Sequence, residues 1–453
     1  MAFLSAAPTV PQQTAPAGDG RVCPRVPPRH ARLAVGAAAS AVYGTRVPTP
    51  SLSSASCKEC PIDVPPLLPA VCTAAATPPS LEPTRVTQAV PTAAALAAMP
   101  SVAAAAARTH TFRGWRVEYL AAGDDAPDAS SRPAIVCVHG FGANCRQWRR
   151  NLPALAAAGY RAYSVDLLGF GLSDKPPPGT VDTSGEAMSY SFPYWSAQLR
   201  GFLADVVVPA GRDVAPIPAP AANGTCGDEA DAPSPAPVLA VGNSIGCIAL
   251  MSAMVDEPGC AAGLVAISPS LRMLHVRKRG FLADIFAPLA MRALAVGPVG
   301  NAFLSSVAEP TALRRVLSQA YAVAPAVDDE LVRLLLEPAE SPGALAVFLA
   351  FTSYDTGPLA EDLLPQLSTP TRLVWGEQDS FEPYRLCGPL AEYETVRAGG
   401  GLVVLEGVGH CAHDEAPAAV NDVVLEFAQR VLGGRAAGTP APEDAPPVSP
   451  LLP

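Results

Sequence analysis

Short apolar runs alternate with longer amphipathic stretches through the middle of the chain. The runs predict buried strands, which we expect at 116–120, 134–138, 160–165, 238–241, 264–267, 372–375 and 402–405. The intervening stretches predict helices at about 146–157, 194–208 and 418–431, with another directly after the fourth strand. This alternation is typical of an α/β fold, in which a mostly parallel sheet is covered by helices on both faces.

The alternation extends over residues 108–435, which we expect to form one folded domain. Residues 1–107 consist mostly of small side chains, so they cannot bury enough apolar surface to fold and predict a disordered leader. They carry seven basic and four acidic residues, whereas the whole chain has a formal net charge of −10. An Arg-bearing, acid-poor leader indicates an organelle transit peptide. Residues 436–453 predict a disordered tail.

Two stretches interrupt the alternation. Residues 211–237 are rich in Pro, Ala, Gly and acidic side chains and predict a disordered insert. Residues 271–365 have a helical and unusually apolar pattern, which predicts a helical cap over the substrate cleft. An apolar cap favours a substrate with a long alkyl chain, because each buried CH₂ group contributes about 0.8 kcal/mol.

The pentad Gly-Asn-Ser-Ile-Gly at 242–246 carries the clearest chemical signal. It follows a short apolar run and precedes a pattern typical of a helix. A strand, a Gly-x-Ser-x-Gly pentad and a helix form the nucleophile elbow of serine hydrolases. The small residues on both sides let the chain turn sharply, so that the hydroxyl of Ser244 projects from the sheet.

A carboxylate and a histidine follow Ser244 in the order expected for a catalytic triad. Asp379 comes after one predicted strand, and His410 lies in a Gly-rich loop after the next. Ser, then Asp, then His is the chain order of α/β-hydrolases. His410 would take the proton of the Ser244 hydroxyl, and Asp379 would orient the imidazole. Glu377 is the alternative acid, and His413 is the alternative base, although its position favours helix capping.

The segment His-Gly-Phe-Gly at 139–142 predicts an oxyanion loop. The backbone N–H groups of Phe141 and Ile245 would hold the negative oxygen of a tetrahedral intermediate. The histidine of this segment is expected to be structural. Asp166 and Ser173 are expected to brace the turn that contains them.

The chain has 11 cysteines, an odd number without repeated spacing, which favours free thiols in a reducing compartment. Cys57 and Cys60 have the spacing of half a zinc or redox site, but the sequence has no second pair beside them. No metal or cofactor is therefore implied. Cys145, Cys247 and Cys411 lie beside predicted site residues, so thiol-sensitive activity is a hypothesis.

The charge pattern restricts the partners. The acidic balance and the lack of a basic stripe argue against nucleic acid, and no run approaches the roughly 20 apolar residues of a membrane span. The cluster His-Val-Arg-Lys-Arg at 275–279 is either a solvated face or a site of peripheral contact with anionic lipid. We expect a hydrophobic ester as substrate, and no obligate protein partner is implied.

Several segments together resemble plastid α/β-hydrolases of the pheophytinase and chlorophyll dephytylase type. The resemblance spans about residues 114–431 and rests on the motifs VHGFGA at 138–143, WR at 148–149, VDLLGFGLSDKP at 165–176, GNSIG at 242–246, VDDELV at 327–332 and GVGHCAHDEAP at 407–417. It implies hydrolysis of the phytyl ester of chlorophyll or pheophytin in the chloroplast, by the triad named above. The 211–237 insert and Cys247, which replaces a second glycine, depart from the family's pattern.

Three functions remain open from the sequence. The first is a plastid serine esterase (a carboxylic ester hydrolase) acting on a long prenyl ester such as phytyl. The second is a plastid lipid or small-ester hydrolase of the same mechanism, and the third is a non-catalytic binding protein with a hydrolase fold. Epoxide hydrolases of this fold need a carboxylate at the elbow, so Ser244 excludes that route. A mitochondrial or cytoplasmic location is the alternative to the chloroplast.

Overall fold

A computed structural model of the protein describes residues 82–102, 107–209, 238–273, 275–278 and 296–433. The predicted leader up to residue 81, the predicted insert at 211–237 and the predicted tail at 436–453 lie outside the described residues. Residues 279–295 of the predicted cap also lie outside them.

A sheet of nine strands runs through the described residues. In chain order the strands are β1 Thr84–Val86, β2 Arg108–Phe112, β3 Trp115–Ala122, β4 Ala134–Val138, β5 Arg161–Val165, β6 Val238–Asn243, β7 Gly263–Ile267, β8 Thr371–Gly376 and β9 Leu402–Leu405. Their order across the sheet is β1-β9-β8-β7-β6-β4-β5-β3-β2. The pairs β2–β3 and β3–β5 are antiparallel, and the other neighbouring pairs of these strands are parallel.

Alternate residues of the central strands pack into two separate apolar layers. In β4, Val136 and Val138 join the layer on one face, whereas Ile135 and Cys137 join the layer on the other. Every residue of β4 is buried. Because both faces of the parallel strands are covered, these strands are apolar throughout, which is why they stand out in the sequence as continuous apolar runs.

Helices cover both faces of this sheet and form the cap. The helices of the sheet domain are Leu152–Ala157, Phe192–Phe202, Ile245–Asp256, Gly388–Ala391, Glu394–Ala398, Ala412–Glu415 and Pro417–Leu432. The cap helices are Gly297–Val307, Pro310–Ala320, Asp329–Ala339, Ala344–Thr352 and Ala360–Leu363. Trp195 and Ile248 belong to one apolar layer, and Leu152 and Phe427 belong to the other. The predicted fold class, a mostly parallel sheet with helices on both faces and a helical cap, is confirmed.

The N-terminal strap, residues 82–102, lies on the folded domain, in contrast to the predicted leader that ended at residue 107. β1 extends the sheet by pairing in parallel with β9. The strap helix Ala93–Ala98 buries Leu96, which is 2% exposed and packs among cap residues. The guanidinium of Arg150 donates to the carbonyl oxygen of Leu96 at 3.2 Å. The predicted start of the folded domain was therefore too late.

The strap was not predicted from the sequence because tertiary contacts, and not a local pattern, give it a defined structure. A strand of three residues has no periodicity of its own, and β1 obtains its hydrogen bonds from an edge that β9 would otherwise leave open. A single buried leucine has little weight in a segment dominated by Ala and Pro.

Buried charges of the sheet domain pair with the half-buried Asp328 of the cap. The guanidinium of Arg149 lies 3.0 Å from Asp328 Oδ1 and 3.3 Å from Asp414 Oδ1. Arg150 lies 2.7 Å from Asp328 Oδ2 and 3.1 Å from Asp414 Oδ1. Asp328 also caps the cap helix Asp329–Ala339 through its side chain. Arg149 contacts a third carboxylate as well, since its guanidinium lies 2.6 Å from Glu330 Oε2. The attraction between these opposite charges offsets the cost of removing them from water.

Replacing Leu96 with alanine should lower the free energy of unfolding by about 2–3 kcal/mol, because a buried methyl-bearing side chain is lost and leaves a cavity. Leu386 is 41% exposed, and its replacement with alanine should change the free energy by less than about 0.5 kcal/mol. Urea unfolding of the full chain, followed by circular dichroism, measures both. Equal and small losses at the two positions would show that the strap does not stabilise the domain.

Candidate active site

The nucleophile elbow lies between β6 and the helix Ile245–Asp256. Ser244 has φ 54° and ψ −118°, a left-handed conformation that is strained for residues other than glycine. A Cβ atom on Gly246 would lie 2.6 Å from backbone oxygens at the end of β4, and one on Gly242 would lie 2.8 Å from the backbone of the following helix. The two glycines of the pentad are therefore required by close backbone contact.

Backbone hydrogen bonds hold Ser244 in this conformation. Its N–H donates to the carbonyl oxygen of Ile267 at 3.0 Å, and its own carbonyl oxygen accepts from the N–H of Ser270 at 3.2 Å. Ile245 is the first residue of the helix, so its N–H has no acceptor within the helix. That N–H is available to a negatively charged oxygen beside Ser244.

His410 and Asp379 form a buried pair. The Nδ1 atom of His410 lies 2.9 Å from Oδ2 of Asp379. The other carboxylate oxygen of Asp379 accepts from the N–H groups of Phe381 and Glu382, both at 2.9 Å. Burial would lower the pKa of His410, but the charge and hydrogen bond of Asp379, together with the charges of Glu382 and Glu415, outweigh it and raise the pKa above its usual value. The charged imidazolium is thus favoured by a fixed carboxylate.

Asn243 connects this pair to the elbow. Its side-chain amide donates to the carbonyl oxygen of His410 at 3.1 Å and to that of Ile267 at 3.3 Å. The loop of His410 is therefore tied to the residue directly before Ser244. Within the described part of the chain, no hydrogen bond joins the Ser244 hydroxyl to His410, and such bonds are often long before substrate binds.

The predicted oxyanion loop passes directly against the elbow. A Cβ atom on Gly140 would lie 3.2 Å from the Cβ of Ser244, so the backbone comes close to the nucleophile. The next residue, Phe141, is 40% exposed. Its ring stacks on Phe351 of the cap at 5.2 Å between centroids and meets Phe170 edge to face at 5.7 Å.

The alternative acid and base lie elsewhere. The carboxylate of Glu377 lies 2.8 Å from the guanidinium of Arg85 in the strap and makes no hydrogen bond to His410 in the described structure. His413 is fully buried and stacks on Trp148 with 4.1 Å between ring centroids. Burial lowers the pKa of His413 to about 3, so its ring is neutral. Neither residue is placed to serve Ser244.

His139 and Asp166 organise the turns beside the site. The Nε2 atom of His139 accepts from the N–H of Leu167 at 3.0 Å, and burial lowers the pKa of this histidine to about 4. Asp166 Oδ2 accepts from the N–H groups of Leu172 at 3.0 Å and Ser173 at 3.3 Å. These contacts fix the backbone around the oxyanion loop.

Two buried glutamates near His410 were not singled out by the sequence. Glu382 accepts from the Ser270 hydroxyl at 3.0 Å through Oε1, and burial raises its pKa to about 7. Glu415 accepts hydrogen bonds from backbone N–H groups on both sides of His410. Only their nearness to Asp379 and His410 in sequence could have drawn attention to them.

The cysteines beside the site are enclosed. Cys145, Cys247 and Cys411 are buried, and burial raises the pKa of each thiol. Protonated and inaccessible thiols are poor nucleophiles. The geometry therefore argues against the hypothesis of thiol-sensitive activity.

Two members of the basic cluster at 275–279 are paired. Arg277 contacts the carboxylate of Asp362, and Lys278 Nζ lies 2.6 Å from Oε1 of Glu361. Arg279 lies outside the described residues. Within the described ranges, no cluster of three His, Cys, Asp or Glu side chains is arranged to hold a metal ion.

No single helix of the described residues is long and apolar enough to cross a bilayer. The helices Asp329–Ala339 and Ala344–Thr352 reach the length and hydropathy only as a pair, with a bend of 90° between them.

Known proteins resemble this chain over most of the sheet domain. The sequence profile of the Alpha/beta hydrolase family matches residues 135–423. Epoxide hydrolase A from Mycobacterium tuberculosis is 27% identical over 346 residues, which are 69% of this chain and 94% of that protein. Epoxide hydrolase B from the same organism is 41% identical over 63 residues, which are only 14% of this chain and 17% of that protein.

Solved structures share the architecture at low sequence identity. A bacterial membrane phospholipase A, described as a virulence factor, superposes with a TM-score of 0.52 and 19% identity over 73% of this chain and 88% of its own. An epoxide hydrolase from Vigna radiata superposes with a TM-score of 0.50 and 17% identity over 72% of this chain and 98% of its own. At such identities the likeness concerns the fold alone.

Iodoacetamide should leave Cys145, Cys247 and Cys411 unmodified in the folded protein at neutral pH, because their thiols are buried and their pKa values are raised. Mass spectrometry of the alkylated protein, with and without urea, measures the modification at each position. The half-buried Cys260 is the internal comparison. Rapid labelling of Cys247 or Cys411 without urea would restore the hypothesis of a thiol-sensitive site.

Proposed function

This chain belongs to the alpha/beta hydrolase family, and on that premise we propose that it hydrolyses carboxylic esters through Ser244, His410 and Asp379. The observation that carries the proposal is the 2.9 Å contact between His410 Nδ1 and Asp379 Oδ2. It leaves Nε2 as the basic nitrogen, in a loop tied by Asn243 to the nucleophile elbow.

The proposed reaction has two stages. Ser244 Oγ attacks the ester carbonyl while His410 Nε2 takes its proton, and the N–H groups of Ile245 and Phe141 hold the negative oxygen. The alcohol leaves with the proton of His410, and an acyl group remains on Ser244. Water then attacks the acyl group, with His410 again as base, which releases the acid and restores the hydroxyl. Asp379 stabilises the imidazolium formed in each stage.

An ester suits Ser244 better than an epoxide. When a carboxylate opens an epoxide, the product is an ester that water can cleave. When a serine hydroxyl opens one, the product is an ether, which no residue of this site could hydrolyse. The match to epoxide hydrolases therefore supports common ancestry and the hydrolase class, and the serine supports ester chemistry.

We propose a long prenyl ester, such as the phytyl ester of chlorophyll or pheophytin, as the substrate. The motifs shared with plastid hydrolases support this, and so does the apolar wall beside the elbow. Phe141 lies against two rings of one cap helix, Phe348 at 6.0 Å and Phe351 at 5.2 Å. Such a wall suits an alkyl chain, since burying each CH₂ group contributes about 0.8 kcal/mol. A plastid location is part of the same proposal.

Incubation of the purified protein with chlorophyll, pheophytin and a p-nitrophenyl acyl ester, beside Ser244→Ala, tests this function. Chromatography should detect free phytol with the native protein and none with the variant. Release of p-nitrophenol alone, lost in Ser244→Ala, would keep the serine mechanism and move the substrate to other lipids or small esters. No reaction dependent on Ser244 would leave a hydrolase fold that binds without catalysis.

Replacing Asp379 with asparagine should lower kcat by about 10⁴-fold, because the imidazole loses its orientation and its stabilising charge. In the native protein, kcat/KM should rise with pH through an apparent pKa above the ordinary histidine value, since only neutral His410 accepts the proton and its pKa is raised. Ester hydrolysis measured between pH 5 and pH 9 checks both effects.

Glu377→Gln is the matched control, because that carboxylate pairs with Arg85 of the strap. Its kcat should stay within about two-fold of the native value. If Glu377→Gln lost as much activity as Asp379→Asn, the acid would have been misassigned.

A further inference from the structure

Glu415 gathers four backbone N–H groups on one buried carboxylate. Oε2 accepts from Gly409 at 3.0 Å, from Ala322 at 2.8 Å and from Val323 at 2.9 Å. Oε1 accepts from Cys411 at 3.1 Å. Glu415 itself has no exposed surface. A carboxylate held by so many amides is a fixed point of the structure.

The four donors belong to two segments that meet at His410. Gly409 and Cys411 are its two neighbours in sequence, whereas Ala322 and Val323 follow the cap helix Pro310–Ala320. The N–H of His410 itself donates to the carbonyl oxygen of Ala320 at 2.8 Å. Three consecutive N–H groups of the histidine loop are thus bound, two by Glu415 and one by the end of the cap helix.

The histidine loop and the segment after the cap helix are also in close backbone contact at Gly409. A Cβ atom on Gly409 would lie 2.4 Å from the carbonyl oxygen of Ala320 and 2.7 Å from the backbone nitrogen of Ala322. The two segments touch through their backbones, so small displacements of one are transmitted to the other. Without the carboxylate, four N–H groups would lose their acceptor, and those of Val323, Gly409 and Cys411 are buried. Each buried group left without an acceptor would cost about 1–3 kcal/mol.

We propose that Glu415 is a positioning residue for His410: its carboxylate fixes the histidine loop against the base of the cap, so that the imidazole keeps one position relative to Asp379 and Ser244. The inference rests on the proposed function, because position matters only if His410 acts as the base. Misplacing a catalytic group by 1 Å can cost about 10²-fold in rate.

The test compares Glu415→Gln and Glu415→Asp with the native protein on p-nitrophenyl butyrate. Exhaustive labelling with a fluorophosphonate counts the folded sites, so kcat is expressed per titrated Ser244. Glu415→Gln should lower kcat per site by about 10–100-fold, with KM within about two-fold of the native value. The reason is that the glutamine amide has only one acceptor oxygen, whereas the carboxylate accepts the four N–H groups through two. Glu415→Asp keeps both oxygens and should recover part of the loss.

Glu426→Gln is the matched control, since Glu426 lies on the last helix and pairs with Arg372; its kcat per site should stay native. A Glu415→Gln protein that loses thermal stability but keeps the native kcat per site would show a purely structural role and overturn the inference. If Glu415→Gln does not fold, Glu415→Asp decides the question. A native kcat per site with unchanged stability in Glu415→Asp would overturn the inference, and a lowered kcat per site would support it. A native protein without Ser244-dependent turnover would overturn the proposed function, and the inference with it.

Discussion

The carboxyl ends of β6, β8 and β9 lie at the same edge of one parallel sheet, and this constraint brings the site together. Parallel strands all point the same way, so the loops that follow them meet at one edge. Ser244 directly follows β6, Asp379 follows β8, and His410 follows β9. Ser244, which lies more than a hundred positions before Asp379 and His410 in sequence, is therefore brought to the same edge as both.

Ion pairs and backbone hydrogen bonds join the cap to this edge, in addition to apolar and aromatic contacts. Asp328 of the cap contacts Arg149 and Arg150, which also contact Asp414 in the histidine loop region. Glu415, the next residue, binds the cap backbone directly. Buried groups of this kind are costly unless every partner is present, so the arrangement favours one position of the cap over nearby alternatives.

The sequence predicted those parts of the structure that leave a local pattern. The strands 134–138 and 402–405 were predicted with the bounds that the structure has, because both faces of each are buried and the apolar run is continuous. The fold class is confirmed for the same reason. The pair of His410 and Asp379 could be chosen from their position after predicted strands, and the structure places them in contact.

Long-range contacts could not be predicted in this way. β1 exists because β9 offers it an open edge, and Leu96 is buried only because the cap receives it. Glu415 binds backbone amides, which every residue except proline carries, so no complementary side chain marks its partners. The thiol hypothesis relied on closeness in sequence, whereas reactivity depends on exposure, and Cys247 faces the interior.

Phe141 makes the cap and the proposed oxyanion hole parts of one unit. Its backbone N–H is the proposed donor to the substrate oxygen, and its ring stacks on Phe351 of the cap. Aromatic pairs contribute about 0.5–1.5 kcal/mol beyond the area they bury, so displacing the cap helix would cost this contact and loosen the loop. An alkyl group bound against the same rings would hold the loop and the helix together. The binding energy of an alkyl group remote from the ester would then help to fix the N–H of Phe141 at the reacting carbonyl. For this reason a long alkyl chain would affect kcat as well as KM.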